Sequence, residues 1–251
     1  MNIDTVAHDL QTLARDVKKF VQARLEQYIE ELHELCLIDS NTYYKPGLDA
    51  MATVLATRLR NLGLQVSILE QEHWGNDLFA VIRGKGNGNV LLLGHSDTVY
   101  PVGTAATCPI RVEGNFVYGP GTADMKGGIL SAIYALEALL TLGYRSFGEI
   151  RFLIVSDEEI PQQHCSDLFQ QALHGCHAVL ALEAGRSNGD IVSARKAAGW
   201  YKLCAKGHAA HAGTDLDKGR NAIVELAHQI LQFRSLNGWL EGVTINPGIF
   251  S

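Results

Sequence analysis

The sequence predicts an α/β fold, with a mixed, mostly parallel sheet and helices on both faces, followed by part of a smaller α+β unit. Three observations carry this reading. Short apolar runs of strand length recur at residues 90–93, 150–155 and 178–182, each bounded by turn residues. Segments with apolar residues at helical spacing alternate with them, as crossovers between parallel strands require. Each run then ends in a small set of His, Asp and Glu residues, which is how the strands of an open sheet deliver side chains to one rim.

Taken in order, residues 6–36 place Leu10, Leu13, Val17, Phe20, Val21, Leu25, Ile29 and Leu32 at helical spacing, giving one long amphipathic helix or two abutting ones. Pro46 interrupts before a second helix over 48–62, which ends at Gly63. Strands follow at 65–69, 78–83 and 90–93, and "GKGNGN" (84–89) reads as a hairpin turn between the last two. No helix follows that turn, which argues against a phosphate loop. The turn "GPGTA" precedes a strongly helical stretch, 125–142. A strand at 150–155, a short helix at 166–173 and the apolar run at 178–182 complete the first domain. The polar, glycine-containing link "GRSNGD" (185–190) marks a change of pattern, so the domains are placed at 1–188 and 189–251. In the second, a strand over 191–205, a helix over 219–233 and a strand over 243–250 form a β-α-β half whose sheet edge calls for a cover.

The strand ends hold the chemistry. A divalent ion needs neutral imidazole and ionised carboxylate, and two neighbouring ions need a carboxylate able to bridge them. His95, Asp124, Glu159 and Glu183 supply that kit. His95 and Asp97 are two apart on extended backbone, so their side chains face the same way, and Asp97 can accept the second imidazole proton and fix the tautomer. Asp124 sits at a helix entrance, where amides and two cations offset its charge, which suits a bridging ligand. The adjacent Glu158 and Glu159 repel unless a cation or a proton intervenes, so Glu159 is assigned to metal and Glu158 to general base. Glu183 would be a terminal ligand of the second ion. Taken singly, a His-x-Asp pair is more often structural and two adjacent glutamates are usually a solvated helix end. Four such events, each at a strand terminus, point instead to a metal-dependent hydrolase.

Composition narrows the field. With 251 residues, 47% hydrophobic and 19% charged, the chain can bury one large domain and part of another. A net charge of -6 argues against nucleic-acid or anionic-membrane partners. No run approaches the roughly 20 apolar residues of a membrane span, and "MNIDTVAHDL" lacks a signal-peptide pattern, so a cytoplasmic setting is expected. Cys36, Cys108, Cys165, Cys176 and Cys204 are odd in number and widely spaced, which does not suggest a disulfide framework. His164 and Cys165 with His174, Cys176 and His177 imitate a structural zinc site. The intervening helix would hold the two clusters about 12 Å apart.

The segments "GHSDTVYPVG" from Gly94, "VYGPGTADMKGG" from Val117, "VSDEEI" from Val155, "ALEAG" from Ala181 and "GHAAHAGTDLDKGRNAIVELAHQI" from Gly207 resemble the M20 family of zinc peptidases, in its glutamate carboxypeptidase-like branch. The resemblance implies two Zn2+ ions, with Co2+ or Mn2+ as acceptable substitutes for such ligands. His95 and Glu183 would bind one zinc, Glu159 the other, Asp124 both, with Asp97 behind His95 and Glu158 as base. It also suggests a cis peptide after Asp124. His211, the second histidine of "GHAAHAG", matches the residue that M20 dimers send from the lid of one subunit into the active site of the other, where it stabilises the oxyanion; His208 is read as an exposed loop residue. The second unit would then be part of a ferredoxin-like lid and dimerisation domain, and the protein a homodimer. The family completes its second zinc with a histidine near the end of a longer chain, so the resemblance implies a fragment or truncated product ending within the lid. The expected function is hydrolysis of an amide in a peptide or N-acyl amino acid. The alternative is a catalytically incompetent truncated homologue that keeps only metal-binding and dimerising capacity.

Overall fold

The computed structural model describes residues 3–160 and 166–249 and divides into two units between Gly189 and Asp190. In the first, the amphipathic N-terminal stretch forms two abutting helices, α1 (Ile3–Gln22) and α2 (Leu25–Cys36). Helix α3 (Lys45–Asn61) starts earlier than expected and takes Pro46 into its first turn, where the missing N–H has no intrahelical partner to lose. There follow β1 (Gln65–Leu69), β2 (Asp77–Arg83), β3 (Val90–His95) and a short α4 (Thr104–Thr107). A small hairpin that the sequence reading missed, β4 (Arg111–Glu113) and β5 (Phe116–Tyr118), leads to a turn over Thr122–Lys126. Helix α5 (Gly127–Thr141), β6 (Glu149–Val155), α6 (Ser166–Leu173) and β7 (Ala178–Ala181) complete the unit.

The main sheet has the order β1-β2-β6-β3-β7. It is mixed: β6, β3 and β7 run parallel, while β1 and β2 join antiparallel on one side. The expected hairpin between β2 and β3 does not form, because β6 lies between them. Residues 84–89 instead cross the segment that enters β6, with Lys85 N donating to Arg145 O at 2.7 Å and Gly86 N to Phe147 O at 2.8 Å. Loop length had suggested nearest neighbours in the sheet; the longer-range insertion of β6 overrides it.

Side-chain alternation along β6 assigns the two faces of the sheet. Ile150, Phe152 and Ile154 pack with Leu32, Leu55, Leu59, Ile129 and Ile133 from α2, α3 and α5. Leu153 and Val155 turn the other way, onto Ala172, Leu168 and Phe169 of α6. Both faces are therefore covered by helices, as an α/β sheet buried on both sides demands.

The second unit contains a short helical turn, Leu216–Lys218, and α7 (Ala222–Ser235). Asn221 caps α7, its side-chain oxygen accepting from Ile223 N and Val224 N, which moves the helix start past the expected residue 219. The strands expected over 191–205 and 243–250 are not formed among the described residues, and residue 250 lies outside them. A strand exists through the hydrogen bonds of a neighbour, and these two segments do not pair with each other. Ile245 spends its backbone groups on the Asn237 side chain, at 2.7 and 2.8 Å. No helix among the described residues is long and apolar enough to cross a membrane.

Candidate metal centre

The parallel strands set the position of the site. His95, last residue of β3, lies opposite Val155, last residue of β6. Leu93 lies opposite Ala181, and Leu182 N donates to Leu93 O at 2.9 Å, so Glu183 emerges one residue beyond. The carboxyl ends of β6, β3 and β7 thus deliver Glu158 and Glu159, His95, and Glu183 to a common rim, with β3 in the middle.

Asp124 arrives from the turn before α5. Gly121 opens that turn at φ 73°, a left-handed conformation that favours glycine. Lys126 N returns to Gly121 O at 2.9 Å, and the Asp124–Met125 peptide is cis. Met125 is buried, with its Sδ 3.1 Å from His95 N. At the start of α5, Gly128 packs so tightly on the chain after β7 that a Cβ would lie 1.9 Å from Leu182 O. Gly128 thus ties the helix after the Asp124 turn to the approach to Glu183 by backbone contact, and the Met125 side chain ties the turn to His95.

His95 Nε2 lies 3.0 Å from Asp124 Oδ1, 3.4 Å from Glu183 Oε1 and 3.9 Å from Glu158 Oε2. Two ligand sets meet at this imidazole, His95 with Asp124 and Glu183, and His95 with Glu158 and Glu159; within each set the ligand atoms lie within 4.8 Å of one another. Ligands at about 2.0–2.1 Å from a tetrahedral cation stand about 3.4 Å apart, the spacing found around Nε2. No lysine or arginine among the described residues pairs with Asp124 or Glu183. A buried imidazole facing several carboxylates, without a basic side chain to balance two of them, fits a divalent cation.

Asp97 lies behind the imidazole, fully shielded from solvent. Its Oδ1 is 3.2 Å from His95 Nδ1 and accepts from Glu158 N at 3.2 Å; its Oδ2 accepts from Glu159 N at 3.0 Å and from Thr42 Oγ1 at 2.7 Å. His95 Nδ1 also lies 3.1 Å from Asp97 backbone O. Both neighbours of Nδ1 are acceptors, so that nitrogen carries the hydrogen and the neutral ring keeps its Nε2 lone pair for the rim.

The electrostatics reflect this crowding. Burial lowers the basicity of His95, but the Asp97 hydrogen bond and charge, helped by Glu158 and Glu183, outweigh it and raise the pKa to about 9. Burial raises Glu158, with Glu183, Asp97 and Asp124 pushing the same way against His95. Burial also raises Glu159, followed by repulsion from Asp124. A cation at Nε2 would take the place of that extra proton.

Two polar residues that the sequence reading did not single out support the rim. Thr42 is buried and holds Asp97, and nothing in its local sequence marks it. Lys126 is buried, and its Nζ donates to Leu35 O at 3.1 Å and Ile38 O at 2.8 Å, fastening the Asp124 turn to the C-terminal end of α2. Burial lowers its pKa to about 8, against the raising influence of Cys36 and Asp39. A lysine entering an otherwise apolar helix was the available signal.

His211 lies in the second unit, exposed, its Nδ1 accepting from Gly213 N at 3.1 Å. His208 is exposed too and pairs through its backbone with Arg220. Of the imitated zinc site, His164 and Cys165 lie outside the described residues, and His177 Nδ1 is engaged by Asn89 N at 3.0 Å.

Known proteins resemble this chain over much of its length. A profile described as peptidase family M20/M25/M40 matches residues 91–229. Carboxypeptidase G2 from Pseudomonas sp. (strain RS-16) is 32% identical over 237 residues, 92% of this chain and 57% of that protein. Succinyl-diaminopimelate desuccinylase from Alkalilimnicola ehrlichii is 40% identical over 113 residues, 43% of this chain and 29% of its own length. A tripeptidase structure from Staphylococcus aureus shares the fold at a TM-score of 0.61 and 21% identity, covering 82% of this chain and 56% of that one. The chain therefore spans little more than half the length of carboxypeptidase G2.

Proposed function

Because the chain belongs to peptidase family M20/M25/M40, we propose that residues 1–188 form the metal-holding part of a hydrolase that cleaves an amide in a peptide or N-acyl amino acid, and residues 189–251 part of its lid. The observation that carries this reading is the convergence of Asp124 and Glu183 on His95 Nε2, at 3.0 and 3.4 Å. The substrate class rests on relatives named as a carboxypeptidase and a succinyl-diaminopimelate desuccinylase.

His95, Asp124 and Glu183 would hold one ion, and Asp124 with Glu159 would contribute to a second. Bound there, a divalent cation supplies polarisation of the substrate carbonyl and acidification of water, and zinc is the family's ion, with cobalt or manganese also suited to these ligands. Asp97 keeps the hydrogen of His95 on Nδ1. Glu158 accepts a proton from the attacking water at its carboxylate and returns it to the leaving nitrogen. Its raised proton affinity, caused first by burial, brings it closer to the working pH of a general base. His211 is assigned to the oxyanion in the active site of a second subunit, which makes the working form a homodimer, and the setting is cytoplasmic.

The test is Glu158→Gln. Turnover of N-acyl amino acids should be lost while the metal content stays that of the unaltered chain. Activity surviving that change would remove Glu158 as base. An unaltered chain that binds metal but turns over no amide would reduce the reading to metal binding alone.

A further inference from the structure

We propose that Thr42 is a positioning residue for the metal centre, its hydroxyl fixing the Asp97 carboxylate and, through it, His95 and the Glu158–Glu159 backbone. The proposal rests on the metal-centre reading above. Asp97 has four donors around two oxygens, and three of them, His95 Nδ1, Glu158 N and Glu159 N, belong to the rim it is meant to hold. The fourth comes from elsewhere. Thr42 Oγ1 lies 2.7 Å from Oδ2, the shortest of the four contacts, and Thr42 is only 3% exposed. An ionised carboxylate only accepts, so the threonine hydroxyl must donate. It makes the charge-assisted kind of hydrogen bond, which is roughly twice as strong as a neutral one.

The segment that carries Thr42 is itself tied to the loops of the site. Thr98 N donates to Ser40 O at 2.8 Å and Asn41 Nδ2 to Tyr100 O at 3.1 Å, which secures the chain beyond Asp97. Asp39 accepts from Gly103 N and Ala105 N at 2.6 and 3.0 Å. On the other side, Lys126 grips Leu35 O and Ile38 O from the Asp124 turn. The stretch between α2 and α3 is thus a strap across two of the ligand-bearing loops, and Thr42 is where it reaches the carboxylate behind the imidazole.

The physical consequence concerns rotation about the Cβ–Cγ bond of Asp97. With Oδ2 pinned by the strap, Oδ1 is turned towards His95 Nδ1 and the ring is held with Nε2 facing Asp124 and Glu183. Without the hydroxyl, Oδ2 keeps only the Glu159 amide, which moves with the rim. The imidazole then loses its external reference, and the ligand atoms must be ordered by the ion itself, at a cost in affinity.

The experiment compares the 251-residue chain with Thr42→Val, Thr42→Ala and Thr42→Ser, titrated with Co2+ and followed by its visible absorption, with melting of the metal-free proteins alongside. Valine and alanine should weaken Co2+ binding about tenfold and alter the band shape, while serine, which restores the hydroxyl, should stay within about twofold, following the usual cost of losing an outer partner of a ligating histidine. Where turnover is measurable, the valine loss should fall on kcat more than on KM. Alanine decides the matter if valine prevents folding. Unchanged Co2+ affinity and band shape without the hydroxyl, whatever the melting temperature, would overturn the role of Thr42, and so would a serine variant as weak as alanine. An unaltered chain that takes up no Co2+ would instead overturn the metal-centre reading, and this role with it.

Discussion

Asp97 Oδ1 stands 3.2 Å from His95 Nδ1 with both side chains buried, and the same carboxylate receives the backbone amides of Glu158 and Glu159. One acidic group therefore orients an imidazole at the end of β3 and the two glutamates that follow β6. Asp97→Asn halves its accepting capacity: the amide oxygen can serve one side, and the NH2 group faces donors on the other. On the proposed reading, metal affinity should fall about 10- to 100-fold, measured by competition with a chromophoric chelator. Undiminished affinity in the Asp97→Asn variant would show that His95 is oriented by the backbone oxygen of residue 97 alone.

Gly128 tests whether the backbone contacts around the rim matter. A methyl group there would sit 1.9 Å from Leu182 O, a backbone atom that can withdraw only by moving the chain that leads to Glu183. Gly128→Ala should cost about 1–3 kcal/mol of stability, the usual range for overpacking, read from urea unfolding. Because Leu182 precedes Glu183, Co2+ binding should weaken in the same variant. Lost stability with unchanged metal binding would separate the two effects.

The order of the main elements could be read from the sequence because their causes are local. The strand at Gln65–Leu69 and the runs that became β3 and β6 are short, apolar and bounded by turns, and the acidic groups at their ends lie next to them in the sequence. That made His95, Asp97, Glu158, Glu159 and Glu183 candidates, and the glycine-containing turn before α5 added Asp124; the structure brings these side chains to one rim. The missed features depend on distant partners. Nothing between β2 and β3 announces that β6 will insert between them, and the hydroxyl of Thr42 acquires its meaning only 55 residues further along the chain, at Asp97. In the second unit, apolar patterning at 191–205 suggested a strand, but a strand is completed by a neighbour and not by its own side chains.

Asp77 gives a prediction about pH. It opens β2, is buried, and accepts from Ser156 N at 3.0 Å, Ser156 Oγ at 3.1 Å and Gln71 Nε2 at 3.0 Å. Burial still dominates, with Asp157 adding to it, and raises the carboxyl from 3.8 to about 6. Between those values the folded chain holds a proton that the unfolded chain has released, so the contribution of Asp77 to stability is greatest below about pH 4, falls as the pH rises to about 6 and then levels off. The loss attributable to this group is about 3 kcal/mol, at roughly 1.4 kcal/mol for each pH unit between the two pKa values. Subtracting the unfolding free energies of Asp77→Asn from those of the unaltered chain, at about pH 4 and about pH 6.5, isolates it. A difference that does not change with pH would mean that the three hydrogen bonds offset the burial.

Metal removal bears on stability through the same rim. Burial raises both Glu158 and Glu159, and Asp124 adds repulsion to each, so without a cation the folded state carries a strain that the unfolded chain does not. A cation bound only to the folded state should relieve it. Zn2+ at about 100 times its dissociation constant should add about 2.7 kcal/mol to the unfolding free energy, and a chelator should remove that gain. The increment must disappear in Asp124→Ala if the ion lies where Asp124 meets His95, because that carboxylate belongs to the set facing Nε2 at 3.0 Å. His177→Ala serves as the control, since its ring nitrogen is engaged by Asn89 N away from that set. Equal zinc stabilisation in all three chains would place the ion elsewhere and detach the carboxylate cluster from metal binding.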